Sequence, residues 1–409
     1  MNDLEKLIQE LCPQGVSYVE IGTSVNYEQP TKYIVNSTKY DDTYKTPVLT
    51  AGQTFVLGYT DETQGIYPAS KENPVIIFDD FTGAFKWVDF PFKVKSSAMK
   101  ILTANEEKAM LRYVYHFMGA LNFTSDEHKR LWIATYSKFK MPLPPMPIQR
   151  EIVRVLDNFT ELTAELTAEL TARKKQYEYY RDELLKSKVD IPMMKLKDIA
   201  TEMYRGSGIK RDEVTAEGIP CVRYGEIYTT YNTWFDTCVS HTKLENVQSP
   251  KYFENGDILF AITGESVEDI AKSVAYVGHE KCLAGGDIVV MKHNQNPRYL
   301  AHALATRAAR EQKSKGKVKS KVVHASVPSI EQIEIPVPPL DVQKRYADVL
   351  DNFEEICNNL NIGLPAEIEA RKKQYEYYRD MLLTFAAADD IILTDRQTDR
   401  QTDRQTEPN

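Results

Sequence analysis

Ala172-Arg-Lys-Lys-Gln-Tyr-Glu-Tyr-Tyr-Arg-Asp182 occurs a second time, without a change, at Ala370-Arg-Lys-Lys-Gln-Tyr-Glu-Tyr-Tyr-Arg-Asp380. Its flanks return too. Leu156-Asp-Asn-Phe159 is matched by Leu350-Asp-Asn-Phe353, and Pro142-Leu-Pro-Pro145 by Pro336-Val-Pro-Pro339. Two copies of one helical cassette, separated by unlike sequence, make a chain built to do one thing twice. An internal repeat decides architecture before any single motif does.

The first cassette places Ile152, Leu156, Phe159, Thr163, Leu166, Leu170, Arg173, Tyr177, Tyr180 and Leu184 at alternating steps of four and three. That is a heptad seam of about five heptads, on a helix of roughly 58 Å. In the second cassette the seam reads Tyr346, Leu350, Phe353, Cys357, Leu360 and Leu364, then Ile368, Arg371, Tyr375, Tyr378 and Leu382. Twelve residues separate Asn-Phe from Ala-Arg-Lys-Lys in the first copy and sixteen in the second. Gly363 and Pro365 should break the second helix, whereas the first should be continuous. The first spacer is itself a tandem, Thr163-Ala-Glu-Leu166 followed by Thr167-Ala-Glu-Leu170. Four residues are about 6 Å of helix and about 40° beyond a full turn. A base pair of B-DNA rises about 3.4 Å and turns by about 35°. The matching rotation would let a helix lengthened in steps of four residues track DNA spacing roughly one base pair at a time; the alternative is a slippage-prone repeat tolerated on a solvated helix.

Outside the cassettes the pattern is mixed. Pro74-Val-Ile-Ile-Phe78 reads as a buried strand and Lys108 to Leu121 as a helix. In the second half a mixed region contains the runs Gly256-Asp-Ile-Leu-Phe260 and Gly285-Gly-Asp-Ile-Val-Val290, and a helix around Arg298 to Glu311. Pro142, Pro144, Pro145 and Pro147 predict a stiff extended linker. The expected fold class is α+β: two mixed α/β domains joined by two long helices with heptad seams, in a pseudo-two-fold internal repeat. The divisions fall at 1–145, 146–188, 189–338, 339–386 and a disordered tail, 387–409.

A length of 409 residues suggests more than one core. The net charge of −8 does not announce a polyanion partner, although local clustering decides that question. Cys12, Cys221, Cys238, Cys282 and Cys357 are scattered without a C-x-x-C pair, which favours reduced thiols in a cytosol. No signal peptide and no apolar span of about 20 residues is evident. Catalytic motifs are missing. The chain has no P-loop, G-x-S-x-G, H-E-x-x-H or Asn/Asp-Pro-Pro-Tyr/Phe, and its seven histidines stand singly without metal-ligand spacing. Neither a catalytic nor a metal site is expected.

Positive charge does concentrate. Lys313, Lys315, Lys317, Lys319 and Lys321 alternate and, if extended, form a comb suited to phosphate contacts. At the matching place in the first half stand Lys129, Arg130, Trp132 and Lys138. Gln53, Tyr59 and Lys86 in the first half, and Arg205 and Arg223 in the second, are further candidates for DNA contact.

This layout of variable domain, long helix, variable domain, long helix resembles the specificity subunit of type I restriction–modification enzymes. The residues that carry the resemblance are Pro-Leu-Pro-Pro, Gln149-Arg-Glu-Ile-Val153 against Gln343-Lys-Arg345, Leu-Asp-Asn-Phe, the Thr-Ala-Glu-Leu tandem and the eleven-residue motif. The tandem and Gly363-Leu-Pro365 are similar to the subclass in which four-residue repeats set the spacer of the DNA site. The resemblance implies that each variable domain is a target-recognition domain reading one half of an asymmetric bipartite site in double-stranded DNA. It implies that the two helices pack as an antiparallel coiled coil, which spaces the domains and docks two methyltransferase subunits and, through them, restriction subunits. S-adenosylmethionine, ATP and Mg2+ would be used by those partners, with no cofactor bound by this chain, in a bacterial cytoplasm. A seam alone preserves only a and d positions, so an unchanged motif also points to one partner bound twice. Arg173, Lys174, Lys175, Tyr179 and Arg181, with Arg371, Lys372, Lys373, Tyr377 and Arg379, are the docking candidates.

Two other classes stay open at this point: a self-contained nuclease or methyltransferase with degenerate motifs, and a coiled-coil adaptor for protein partners. The tail, Thr394-Asp-Arg-Gln repeated three times to Gln405, has no place in the family pattern. One tetranucleotide, ACAG, can encode it when read through all three frames, and at the protein level the tail also reads as a neutral solvated segment. The expected gene therefore carries a pure ACAG tract whose length mutates readily. Sequencing the tract tests this, and mixed codons there would refute it.

Overall fold

The computed structural model describes residues 2–52, 54–105, 107–123, 129–186, 190–264, 266–315, 323–358 and 362–385. The chain forms two compact units, residues 1–166 with 367–409, and residues 167–366. The long helix Met146–Leu184 is shared, since its residues to Leu166 belong to the first unit and those from Thr167 to the second. No helix among the described residues is long and apolar enough to cross a membrane.

Each unit is α+β and is built on the same plan. In the first, a sheet runs in the order Val25–Glu28, Met99–Ala104, Val75–Asp79, Phe85–Val88. In the second the order is Ala200–Arg205, Ile288–His293, Ile258–Ala261, Ser273–Tyr276, Trp234–Phe235. The central strands show why continuous apolar runs are needed. Side chains alternate across a strand. Ile76 and Phe78 therefore pack with helix Leu111–Ala120, while Val75 and Ile77 pack with Leu49 and Val94 on the other face. In the second unit Ile258 and Phe260 face helix Pro297–Ala305, while Leu259 and Ala261 face a separate core with Phe253 and Tyr276. A strand buried on both faces has no position for a polar residue, as the sequence predicts for 74–78.

The domain helix, the entry to the cassette helix and a short two-stranded sheet meet in a joint, and both units contain it. Tyr18–Glu20 pairs antiparallel with Lys140–Pro142, and Met193–Lys195 with Glu334–Pro336. Gln149 is fully buried. Its Oε1 accepts from Met110 N at 2.9 Å, and its Nε2 donates to Pro144 O at 2.8 Å. Gln343 repeats the arrangement, accepting from Asn296 N at 2.9 Å and donating to Pro338 O at 2.7 Å. Tyr113 and Tyr299 donate to the carbonyls of Pro142 and Pro336 at 2.7 and 2.8 Å. One amide thus satisfies a donor at the start of the domain helix and an acceptor in the proline strap, groups that would otherwise be buried without partners.

Further along the helix His116 Nε2 lies 2.8 Å from Asp157 Oδ1 and its Nδ1 3.1 Å from the Tyr375 hydroxyl. Arg112 Nε donates to the same carboxylate at 2.7 Å. The second unit has His302 between Asp351, at 2.8 Å, and the Tyr177 hydroxyl, at 3.2 Å, with Arg298 on Asp351. The tyrosine in each unit comes from the opposite cassette's eleven-residue motif. Burial lowers the pKa of His116 and keeps it neutral. A carboxylate only accepts, so Nε2 carries the proton and Nδ1 accepts from Tyr375. Burial also pushes the carboxyl of Asp157 up, but the hydrogen bonds from His116 and Arg112 outweigh this and bring it below its ordinary range.

Three sequence expectations need correction. The proline linker is short, because Lys140–Pro142 is a strand and the helix already begins at Met146, with Pro147 in its first turn. Arg298 to Glu311 is two helices, Pro297–Ala305 and Arg307–Ser314, divided at Thr306, whose hydroxyl caps the second. The seam also shifts. Arg173 and Tyr180 are exposed, while Tyr177, Arg181, Leu184 and Leu185 turn inward, so the step after Tyr177 is four rather than three. Phe353 is exposed, although its counterpart Phe159 stacks on Tyr378 with ring centroids 5.3 Å apart. The expected helix break is present, with described helices Leu340–Asn358 and Gly363–Thr384 and Gly363 at φ +65°. Leu360 lies outside the described residues.

Replacing Gln343 with Leu strands Asn296 N and Pro338 O, so the variant is expected to lose about 1–3 kcal/mol of stability in denaturant unfolding. Gln149→Leu should cost a similar amount. A loss under about 0.5 kcal/mol at either position would show that the joint is not held this way.

Candidate nucleic-acid interface

In the first unit a tight turn joins Val75–Asp79 to Phe85–Val88. Asp79 Oδ1 accepts from Phe81 N and Thr82 N, both at 2.9 Å, and Gly83 sits at φ +74°. A side chain at Gly83 would run into Phe123, at 2.9 Å, which fixes glycine there. Around this turn lies an open cleft of about 700 Å³ lined by Gly52, Thr82, Ala84, Lys86, Asn122 and Phe123. The segment carrying exposed Lys129 and Arg130 is tied to the turn from the other side. Leu131 N donates to Asp80 O at 2.8 Å and Trp132 N to Asp80 Oδ1 at 2.7 Å. Three of the expected DNA contacts, Lys86, Lys129 and Arg130, are thus gathered around one hairpin turn.

The second unit gathers residues at the equivalent end of its sheet. Arg205 donates to Asp287 at 2.6 Å and to the Gly286 carbonyl. Arg223 lies beside Gly285, where an added Cβ would meet Val222 O at 2.9 Å and Arg223 Cα at 3.3 Å. Ile262 N donates to Asp287 O, and Ala325 N to Ile262 O, so the strand Val323–His324 is drawn to the same end. His324 is exposed there, its Nδ1 3.1 Å from Thr263 Oγ1. Sequence reasoning passed over Asp80 and His324, because neither stands in a basic run. The hydrogen-bond tie to the hairpin is visible only in three dimensions.

Several expected positions are not where the sequence put them. Trp132 is 2% exposed, packed edge-on to Phe78 at 5.2 Å, and is a core residue. Lys313 is buried in helix Arg307–Ser314, donating to Leu304 O at 2.9 Å and Ser273 Oγ at 3.2 Å. It belongs to no extended comb, because a helix spreads alternate residues around its axis. Lys315 is exposed, and Lys317, Lys319, Lys321 and Gln53 lie outside the described residues. Lys138 is exposed in the short helix Tyr136–Lys138, and Tyr59 is half-buried in strand Val56–Thr60.

The docking candidates divide cleanly. Arg181 and Arg379 are 6% and 8% exposed. Each lies over its own motif tyrosine, Tyr177 or Tyr375, at 5.5 and 5.7 Å, and pairs with Asp182 or Asp380. They are held inward by packing and do not present a docking surface. Arg173, Lys174, Lys175 and Tyr179 are exposed in the first copy, as are Lys372, Lys373 and Tyr377 in the second, with Arg371 half-buried.

Among the described residues His302, Asp351 and Glu354 bring ligand atoms within 4.8 Å of one another. Both ring nitrogens of His302 are engaged, and Glu354 accepts from Thr233 at 2.8 Å. At the matching place in the first cassette stands Thr160. The cluster is part of the joint.

Comparison with known proteins gives a consistent result. The family model for the type I restriction–modification DNA specificity domain matches residues 13–173 and 188–370. The chain is 39% identical over 403 residues to the EcoR124I/EcoR124II specificity subunit of Escherichia coli, covering 96% of this chain and 99% of that one. It is 28% identical to a putative type I specificity subunit of Haemophilus influenzae, covering 82% and 86%. A solved chain from a study of complex assembly and conformational transition in the type I system superposes with a TM-score of 0.56. That chain is 15% identical, with 90% of this chain and 98% of that one covered, and shares the fold.

The burial of Lys313 has a measurable consequence. Burial, with Arg310 and Arg181 nearby, pushes its amine from 10.5 down to about 7. The unfolded chain binds a proton up to about pH 10.5, so the folded state is penalised at neutral pH and the penalty fades as pH rises from about 7. Lys313→Met is therefore expected to melt at a higher temperature than the parent at pH 7, by a margin that narrows at pH 9. An unchanged margin would show that the amine does not titrate in this window.

Proposed function

The chain belongs to the type I restriction–modification DNA specificity family, and from that premise we propose that it reads an asymmetric, two-part site in double-stranded DNA. Specificity subunits are non-catalytic parts of the type I complex. In this reading each unit carries one target-recognition domain and reads one half-site. The two long helices pair as an antiparallel coiled coil that spaces the domains and docks two methyltransferase subunits, and restriction subunits through them. The partners would supply S-adenosylmethionine, ATP and Mg2+ in a bacterial cytoplasm.

The observation that carries the proposal is the duplicated joint. Two domains of different sequence are mounted on equivalent Gln, His, Asp and Tyr contacts. Each presents basic residues at the equivalent end of its sheet. Lys86, Lys129 and Arg130 would face one half-site, and Arg205, Arg223 and Lys315 the other, as phosphate and base-edge contacts. Gln53, Tyr59, Lys138, Lys317, Lys319 and Lys321 remain candidates in the same reading. The exposed part of the motif, Lys174, Lys175 and Tyr179 with Lys372, Lys373 and Tyr377, supports docking of one kind of partner at both copies. These side chains are exposed and unchanged between the copies.

The adaptor reading predicts no DNA modification, so a methylation map separates the two. DNA from cells expressing this chain with a cognate methyltransferase subunit is expected to carry N6-methyladenine on both strands of a gapped motif. Deleting Thr167 to Leu170 should shorten the gap by about one base pair and leave both half-sites intact. Altered half-sites would contradict the ruler. An unmethylated genome with soluble methyltransferase present would favour the adaptor.

A further inference from the structure

Two backbone hydrogen bonds are common to both units. Asp80 N donates to Ala98 O and Ile262 N to Asp287 O, each at 2.9 Å; Leu131 N donates to Asp80 O and Ala325 N to Ile262 O, each at 2.8 Å. The strand registers agree, since Phe78 faces Lys100 as Phe260 faces Val289. Asp80, Lys100 and Arg130 therefore occupy the places of Ile262, Val289 and His324.

The side chains at these places differ in kind. In the second unit the frame is apolar beneath, with Ile262 and Val289 buried. In the first, Asp80 and Lys100 form an ion pair at 2.8 Å with both side chains at most 2% exposed. A buried ion pair carries a desolvation cost that apolar residues of similar size avoid. The second unit shows that this frame folds with apolar residues, so the fold itself does not demand the pair.

What the pair adds is an anchored carboxylate under Arg130. Oδ1 of Asp80 is taken by Trp132 N at 2.7 Å, Oδ2 by Lys100 at 2.8 Å, and the Arg130 guanidinium stands 3.6 Å from Oδ2 with its side chain 57% exposed. At that distance the carboxylate attracts the guanidinium by charge while more than half of the side chain stays exposed. A planar, pre-aimed guanidinium suits the two acceptors on the major-groove edge of guanine.

Resting on the function proposed above, we infer that Arg130 and His324 are equivalent specificity-determining residues, one per half-site, and that Asp80 is the residue that positions Arg130. The two recognition domains thus show different chemistry at the tip of one shared backbone strap.

The test uses the full chain in complex with its methyltransferase subunits. The probes are duplexes bearing its methylated motif's sequence, or that sequence altered in one half only. Arg130→Ala is expected to lower affinity for the intact site by roughly 10- to 100-fold and to abolish discrimination against changes in one half, leaving the other half read normally. His324→Ala should do the same at the opposite half. The double variant Asp80→Ile with Lys100→Val, which installs the second unit's residues, should keep its thermal transition and lose part of the discrimination that Arg130→Ala loses. Arg130→Lys keeps the charge without the fork and should also lose discrimination while retaining the salt dependence of binding. Equal weakening at both halves, or none, would overturn the assignment of Arg130. Full discrimination in the folded double variant would overturn the role of Asp80. A parent complex that distinguishes neither half would refute the DNA-reading function itself.

Discussion

The buried amide of Gln149, and of Gln343 in the second unit, is the contact on which the rest of this architecture depends. A proline strap cannot donate from its prolines and leaves carbonyls buried, and a domain helix begins with donors that have no partners within it. One side chain with a donor and an acceptor at its tip settles both, and does so where the cassette helix begins. Helix, strap and domain are thereby fixed to one another through groups that are costly to leave unpaired. Domain loops can then vary without altering how the domain is mounted.

The histidine contact extends this logic. His116 and His302 each bridge an aspartate from one cassette and a tyrosine from the other. Every unit therefore needs both cassettes, which gives a structural reason for part of the motif to be identical. Tyr177, Tyr375, Arg181 and Arg379 are explained by these inward contacts. The exposed lysines and Tyr179 and Tyr377 are not explained by inward contacts, and docking of one kind of partner at both copies is the role proposed for them.

We propose that specificity in such a scaffold resides where backbone is shared and side chains are not. The strap over the hairpin turn is such a place. It is hydrogen-bonded alike in both units, yet holds a buried ion pair under an arginine in one and an apolar pair under a histidine in the other. Lys313 marks the opposite case, a basic residue in a basic run that the fold has drawn inside, where burial lowers its pKa. Charge in a sequence shows which residues are polar. Their direction is decided by the helix or strand they join.

The repeat, the central strands, the long helix, the break near Gly363 and the family were legible in the residues, because periodicity and identical motifs are local or self-referential signals. Less of the site was legible. Lys129, Arg130, Lys86, Arg205 and Arg223 were found as charges, but Trp132 and Lys313 proved to be buried, Arg181 and Arg379 turned inward, and Asp80 and His324 went unnoticed. Most of those outcomes rest on contacts between residues far apart in sequence: Asp80 with Lys100 and Trp132, Tyr375 with His116, Ser273 with Lys313. The sequence by itself determined what each segment forms and that the plan is used twice, since propensity and pattern act over a few residues. Only the tertiary structure decided which charges face solvent and which carboxylate aims which arginine. Burial and pairing depend on where distant strands bring their side chains together.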